Sequence, residues 1–191
     1  MILRILYINI CILSILSGCQ KKIMNRGELY TYIQNKNHGV FDSKENNGVK
    51  VSMSYIPGIL MRDNADSTLL GKYLYFRLIY QINDKDMLSA VDQSSYSVLV
   101  NRLSFKLGDY IIVRCDGKDE EIADFQFSPM YGATNNTEVV IALDRDKLKD
   151  EKELTIKLRD IGLGLPEYDF TFKREALERL DDLTVELEKL D

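Results

Sequence analysis

Tyr73-Leu-Tyr-Phe-Arg-Leu-Ile-Tyr-Gln-Ile82 is the run on which the fold turns. In an extended chain side chains alternate between two faces. Leu74, Phe76, Leu78, Tyr80 and Ile82 then face one way, and Tyr73, Tyr75, Arg77, Ile79 and Gln81 the other. Both faces are largely apolar or aromatic, which predicts a central strand.

Upstream, Val49, Val51, Met53 and Tyr55 alternate with Lys50, Ser52 and Ser54, the pattern of a strand with one wet face. Asn46-Asn47-Gly48 reads as a turn that folds Val40–Ser43 back into a hairpin. Pro57-Gly58 closes this segment, and Asp63 to Thr68 reads as an exposed loop. Further upstream, Asn25 and Glu28 have capping-box spacing. Leu29, Tyr32 and Ile33 share one face of a short helix that Asn37-His38-Gly39 ends, with Gly39 as the left-handed cap.

Downstream, Asp84 to Ser94 reads as a polar connection. Tyr96 to Phe105 is apolar without a clean period; strand is preferred over helix because Tyr, Val and Phe dominate it. Asp109–Cys115 and Glu121–Phe127 flank Asp116-Gly117-Lys118-Asp119 as a predicted hairpin, and Pro129 to Thr134 reads as loop. Strands are predicted at Thr137–Leu143, at Glu153–Arg159 and from Tyr168 through Phe172, with Gly162 and Gly164 breaking the chain between the last two. That makes roughly seven to nine short strands, with no helix long enough for parallel crossovers between them. The expected class is mainly β: an antiparallel β-sandwich, immunoglobulin-like in the broad sense, with a short N-terminal helix and a C-terminal amphipathic helix.

The C-terminal helix is predicted from about Arg174 to Leu190. Ala176, Leu180, Leu183, Leu187 and Leu190 follow heptad spacing over about two heptads, fewer than the three or four of a sustained coiled coil. Two readings stand. The helix docks on the sandwich or against the 26–37 helix, or Leu180, Leu183, Leu187 and Leu190 form a face for a partner helix.

The first nineteen residues, MILRILYINICILSILSGC, give an address. Arg4 supplies a positive start, Ile5 to Leu16 an apolar run, and Leu16-Ser17-Gly18 the small-residue approach to Cys19, which together describe a secretory signal. The run falls short of the roughly 17–25 apolar residues needed to cross a bilayer. Leu16-Ser17-Gly18-Cys19 resembles the lipobox of bacterial lipoproteins at all four positions. The resemblance implies cleavage before Cys19, a diacylglyceryl group on its sulfur and a further acyl chain, such as palmitate, on its new amino terminus. Two or more chains hold a protein stably on a membrane, each buried methylene contributing about 0.8 kcal/mol. Gln20 follows the cysteine in place of the aspartate linked to inner-membrane retention, so the resemblance points to the outer membrane. Residues 1–18 are then the signal, 19–25 a tether, 26–173 the sandwich with its N-terminal helix, and 174–191 the terminal helix. The tryptophan-free, Tyr-rich composition resembles small outer-membrane lipoproteins of the Bacteroidetes.

Removing residues 1–18 leaves 191 − 18 = 173 residues, enough for one domain with its own core. It also removes one basic residue, Arg4, and takes the formal charge from −5 to −6. An acidic chain gives no support for a nucleic-acid partner, and attachment to membrane has to come from the lipid. Cys11 leaves with the signal and Cys19 is taken by lipid, so Cys115 has no intramolecular disulfide partner. It shares a strand face with Ile111 and Val113 and reads as a buried thiol.

Catalytic chemistry is sparse. His38 is the only histidine, whereas triads need a histidine base and most zinc sites several His or Cys ligands. A Cys115–His38 pair is disfavoured because Cys115 reads as buried. Carboxylates cluster at Asp116, Asp119, Glu120 and Glu121 and at Asp144, Asp146 and Asp150, as turns of an acidic protein do. Asp116-Gly117-Lys118-Asp119 lacks the remaining EF-hand ligands, and Gly162-Leu-Gly164 leads into Pro166 rather than into a helix. No metal and no cofactor beyond the lipid is expected. Asp66-Ser67-Thr68 resembles the O-glycosylation pattern of Bacteroidetes exported proteins, with Ser67 as the acceptor it implies; Asn135-Asn136-Thr137 fits an N-glycosylation sequon.

These observations lead to an expectation of a non-enzymatic, membrane-anchored envelope lipoprotein that docks another envelope protein. The alternative is a surface module binding glycan or another small ligand through loop tyrosines such as Tyr55, Tyr96 or Tyr131.

Overall fold

The computed structural model describes residues 25–61, 71–115, 118–130, 133–148 and 150–185. Leu16, Ser17, Gly18, Cys19, Ser67, Asp116, Tyr131, Leu187 and Leu190 lie outside the described residues.

β3 (Tyr73–Ile82) is central, as its sequence predicts. It pairs antiparallel with β2 (Val49–Ile56) on one edge and β8 (Thr137–Asp144) on the other. β1 (Phe41–Asn46) lies outside β2, β7 (Asp124–Phe127) outside β8, and the short β4 (Lys85–Asp86) folds back on the end of β3. A second antiparallel sheet runs in the order β10 (Tyr168–Lys173), β9 (Glu153–Leu158), β5 (Ile111–Cys115), β6 (Lys118–Glu120). One continuous core lies between the sheets. Leu74, Phe76, Leu78 and Tyr80 of β3 belong to it together with Val113, Ile156, Phe170 and Phe172 of the other sheet, and the Phe76 and Phe172 rings lie 5.1 Å apart. On the outer face of β3, Tyr75 forms a second small cluster with Ile56 and Ala142. The molecule is thus a mainly β, antiparallel sandwich with a helix at each end of the described chain.

Local chemistry fixes the elements. Asn25 accepts the Glu28 N–H at 2.9 Å and starts α1 (Arg26–Gln34), whose Leu29 and Ile33 are buried. Regular helix ends earlier than the sequence suggests. A 3-10 turn, Lys36–His38, intervenes before Gly39, which caps it at φ 73. The β1–β2 hairpin closes through Asn47 (φ 50) and Gly48 (φ 75), both left-handed as an Asn-Gly hairpin turn requires. A Cβ on Gly48 would stand 2.6 Å from Asn83 Oδ1, so space as well as conformation demands glycine there.

On each edge of the six-stranded sheet a side chain takes up a backbone group. In β1 the Ser43 N–H is taken by the Asp42 carboxylate at 2.7 Å, and its carbonyl accepts from the Lys36 ammonium at 3.1 Å. In β7 the Phe125 N–H is taken by Asp124 at 2.8 Å. An edge strand with occupied backbone groups offers little to an incoming strand.

Two expectations need correction. Tyr96–Phe105 is helix, not strand: it belongs to α3 (Gln93–Phe105), which follows the single turn α2 (Met87–Ala90). The Asp92 carboxylate caps it by accepting the Ser94 and Ser95 N–H groups, and Leu99 and Leu103 are buried one turn apart. A cap and a buried i,i+4 pair outweigh the modest strand preference of Tyr, Val and Phe. α3 also carries the chain from the six-stranded sheet to the four-stranded one, and every described strand pair is antiparallel as expected. Second, Asp109–Cys115 and Glu121–Phe127 are not partners. β5 turns back only into the three-residue β6, while β7 joins the other sheet, pairing Phe125 with Ile141 and Phe127 with Val139.

α4 (Arg174–Val185) continues directly from β10. Ala176, Leu177 and Leu180 are buried in the main core and Leu183 packs against it, so the helix docks on its own sandwich. Leu180 and Leu183 are therefore committed within the chain and do not form a free partner face.

Candidate functional site

The most developed polar constellation lies where α4 meets the six-stranded sheet. Alternation along β2 turns Tyr55 inward, and its ring is buried. Its hydroxyl donates to both oxygens of Asp181 on α4, at 2.8 and 2.9 Å. Arg145, just past the end of β8, donates through Nη2 to the Tyr55 hydroxyl and to Asp181 Oδ2, each at 3.3 Å. Burial drives the Tyr55 phenol far above its ordinary range, and the neighbouring Asp181 charge adds to that. Burial also raises Asp181, against the opposing pull of Tyr55 and Arg145. A phenol held protonated and a carboxylate held by two donors do not activate a nucleophile; they fasten the helix to the sheet.

The other inward polar groups do comparable work. Asp160 accepts the N–H groups of Leu163 and Gly164 at 2.8 and 2.9 Å and shapes the loop before β10. Arg102 of α3 donates to the Ile161 carbonyl at 2.6 Å, so close to Gly162 (φ 107) that a Cβ there would collide with its guanidinium. The Tyr80 hydroxyl is buried and has no hydrogen-bond partner among the described residues. Asp86 accepts the hydroxyl of Thr137, tying α2 to β8. At the other end of α4, Arg174 donates to the carbonyls of Glu151 (2.7 Å) and Leu148.

Outside the core, a groove of about 60 Å³ runs between α1 and the outer face of β2 and β3. Tyr30, Phe41, Leu60 and Ile79 give it an apolar lining, and Ser52 and Arg77 supply polar floor. The Arg77 guanidinium lies 6.0 Å from the Tyr30 ring centroid, a cation–π arrangement, and its Nε is 2.8 Å from Glu138.

Comparison with protein-family models and with curated proteins returns no match. The reading rests on the chain itself.

The residues singled out from sequence fall in separate places. His38 stacks on Tyr32 at 3.6 Å between ring centroids, with Nδ1 2.8 Å from the Tyr32 carbonyl oxygen, and so belongs to the turn after α1. Cys115 is buried at the end of β5 on the four-stranded sheet. Tyr55 is a core residue rather than a loop platform, and Tyr96 lies half-buried on α3 against the core. Asp119 pairs with Arg114 and Glu120 with Lys147. Asp144 caps the turn at Asp146 and Lys147. Among the described residues no three His, Cys, Asp or Glu side chains are grouped as metal ligands, and no helix is long and apolar enough to cross a membrane.

Asp181 and Arg145 escaped the sequence reading, but a signal for Asp181 was there. Leu177, Leu180, Asp181 and Thr184 share the i, i+3, i+4, i+7 face of α4, so the acid interrupts an apolar stripe instead of decorating the wet side. Arg145 sits in a turn of mixed charge, where nothing local distinguishes it from Lys147.

Proposed function

We propose that this chain is a lipid-anchored outer-membrane protein of the bacterial envelope, non-enzymatic, that serves as a structural or docking component for another envelope protein. The observation that carries the reading is Leu16-Ser17-Gly18-Cys19 at the end of an apolar run, six residues (25 − 19) ahead of the Asn25 that caps α1. Such an arrangement mounts a folded domain directly on an acylated cysteine. The domain supports the reading in another way: Asp181, Asp160, Asp86 and Arg174 are all spent on holding its own helices and loops.

Growth on labelled palmitate tests the anchor. The wild-type chain should carry label and partition with outer membranes, and Cys19→Ala should lose the label and leave the membrane fraction. Label retained on Cys19→Ala overturns the anchor. For the docking role, cross-linking in intact cells followed by solubilisation should recover the same envelope protein in stoichiometric yield. Recovery of the chain alone, together with saturable binding of an oligosaccharide, overturns docking in favour of a ligand-binding module.

A further inference from the structure

We infer that the groove between α1 and the outer face of β2 and β3 rests against the membrane that carries the anchor, with a lipid surface as its occupant. This rests on the lipid-anchor reading. Asn25 follows Cys19 by six positions, and a fully extended chain covers at most about 3.6 Å per residue, so the start of α1 stands within about 22 Å of the Cys19 backbone. α1 forms one wall of the groove through Tyr30 and Ile33. The groove therefore lies within reach of the bilayer that holds the anchor.

Its chemistry suits an interface between headgroups and acyl chains. Tyr30 is 40% exposed, a large amphipathic ring at the rim of a recess with apolar walls and a polar floor. Aromatic residues with one apolar and one wet end favour that boundary. Phe41, Leu60 and Ile79 are only partly covered. Arg77 reaches the groove on an aliphatic stem while its guanidinium is balanced by Glu138, so the recess gains a polar floor without an uncompensated charge. Attraction at this pole need not be electrostatic, because the anchor already supplies proximity.

The test uses the acylated full-length chain in phosphatidylethanolamine–phosphatidylglycerol vesicles containing a nitroxide phospholipid. A thiol-reactive fluorophore is placed at Gln34→Cys beside the groove, or at Thr171→Cys on the exposed face of β10. Cys115, 5% exposed, is shielded from the reagent in the folded protein. Quenching at position 34 should exceed that at 171 several-fold, and adding Tyr30→Asp should bring position 34 down to the level of 171. Equal quenching at the two positions overturns the inference. So does quenching at 34 that survives Tyr30→Asp, since the tether alone then accounts for it. A signal at 34 that responds only to an added envelope protein assigns the groove to that protein and overturns the lipid assignment. If the purified chain carries no acyl label, both this inference and the anchor reading fall; label with equal quenching sinks this inference alone.

Discussion

Asp181 shows how one side chain can fasten an element to the fold. Its carboxylate sits on the apolar stripe of α4, and Tyr55 and Arg145 meet it there. Removing the phenol by Tyr55→Phe leaves a largely buried carboxylate short of a donor, a loss of about 1–3 kcal/mol that urea unfolding would read. Burial holds the Asp181 carboxyl above its ordinary value in the folded protein. The native state therefore binds that proton more tightly than the unfolded chain, and stability from this group is greatest in acid and falls as pH rises through the raised value. Starting near the ordinary carboxylate pKa of about 4, wild type should lose ground to Asp181→Asn as pH rises. Urea midpoints of the two proteins across that range measure it. A difference that moves the other way would mean that pairing with Arg145 outweighs burial.

At the scale of elements, α3 separates what sequence pattern can and cannot deliver. Leu103 is fully buried while Phe105 is 77% exposed, although an extended chain would put both on one face. Leu103→Ala should cost about 2–5 kcal/mol, and Phe105→Ala should stay within about 0.5 kcal/mol. Comparable losses at both positions would contradict the helix. Its signal, Asp92 ahead of Ser94 and Ser95 with Leu99 and Leu103 one turn apart, was present in the sequence but weaker than the appearance of Tyr, Val and Phe. By contrast α1, the β1–β2 hairpin and β3 were legible because each has a local cause: an Asn cap, an Asn-Gly turn, a long alternating run. β7 was misplaced because choosing between β5 and β8 as partner is a long-range matter that no turn residue encodes. The latch around Asp181 was opaque for a similar reason. Its members lie 126 and 36 residues from one another in sequence, and only the Asp181 end bears a local mark.

For the whole molecule, the docked α4 changes how the chain can be dissected. Leu177 and Leu180 are each worth about 2–5 kcal/mol when truncated, and total stability of a domain is typically about 5–15 kcal/mol. Deleting residues 174–191 should therefore abolish a cooperative unfolding transition rather than leave a sandwich missing one appendage, as thermal unfolding followed by circular dichroism would show. Loss of a partner on that deletion would then report unfolding, and point substitutions on exposed positions are the cleaner probe of docking. A sharp transition in the shortened chain would show that the sandwich stands without its helix.

Under the proposed lipid anchor, the side-chain bonds at the edges of β1 and β7 bear on life in two dimensions. Molecules moored by one end to a surface cannot dilute themselves away from their neighbours, and they collide flank to flank at a local concentration far above that in solution. A sheet with open flanks would zip to the next copy under such crowding. If the chain is anchored as proposed, the bonds that Asp42 and Lys36 make on one flank and Asp124 on the other would disfavour such pairing between neighbouring copies.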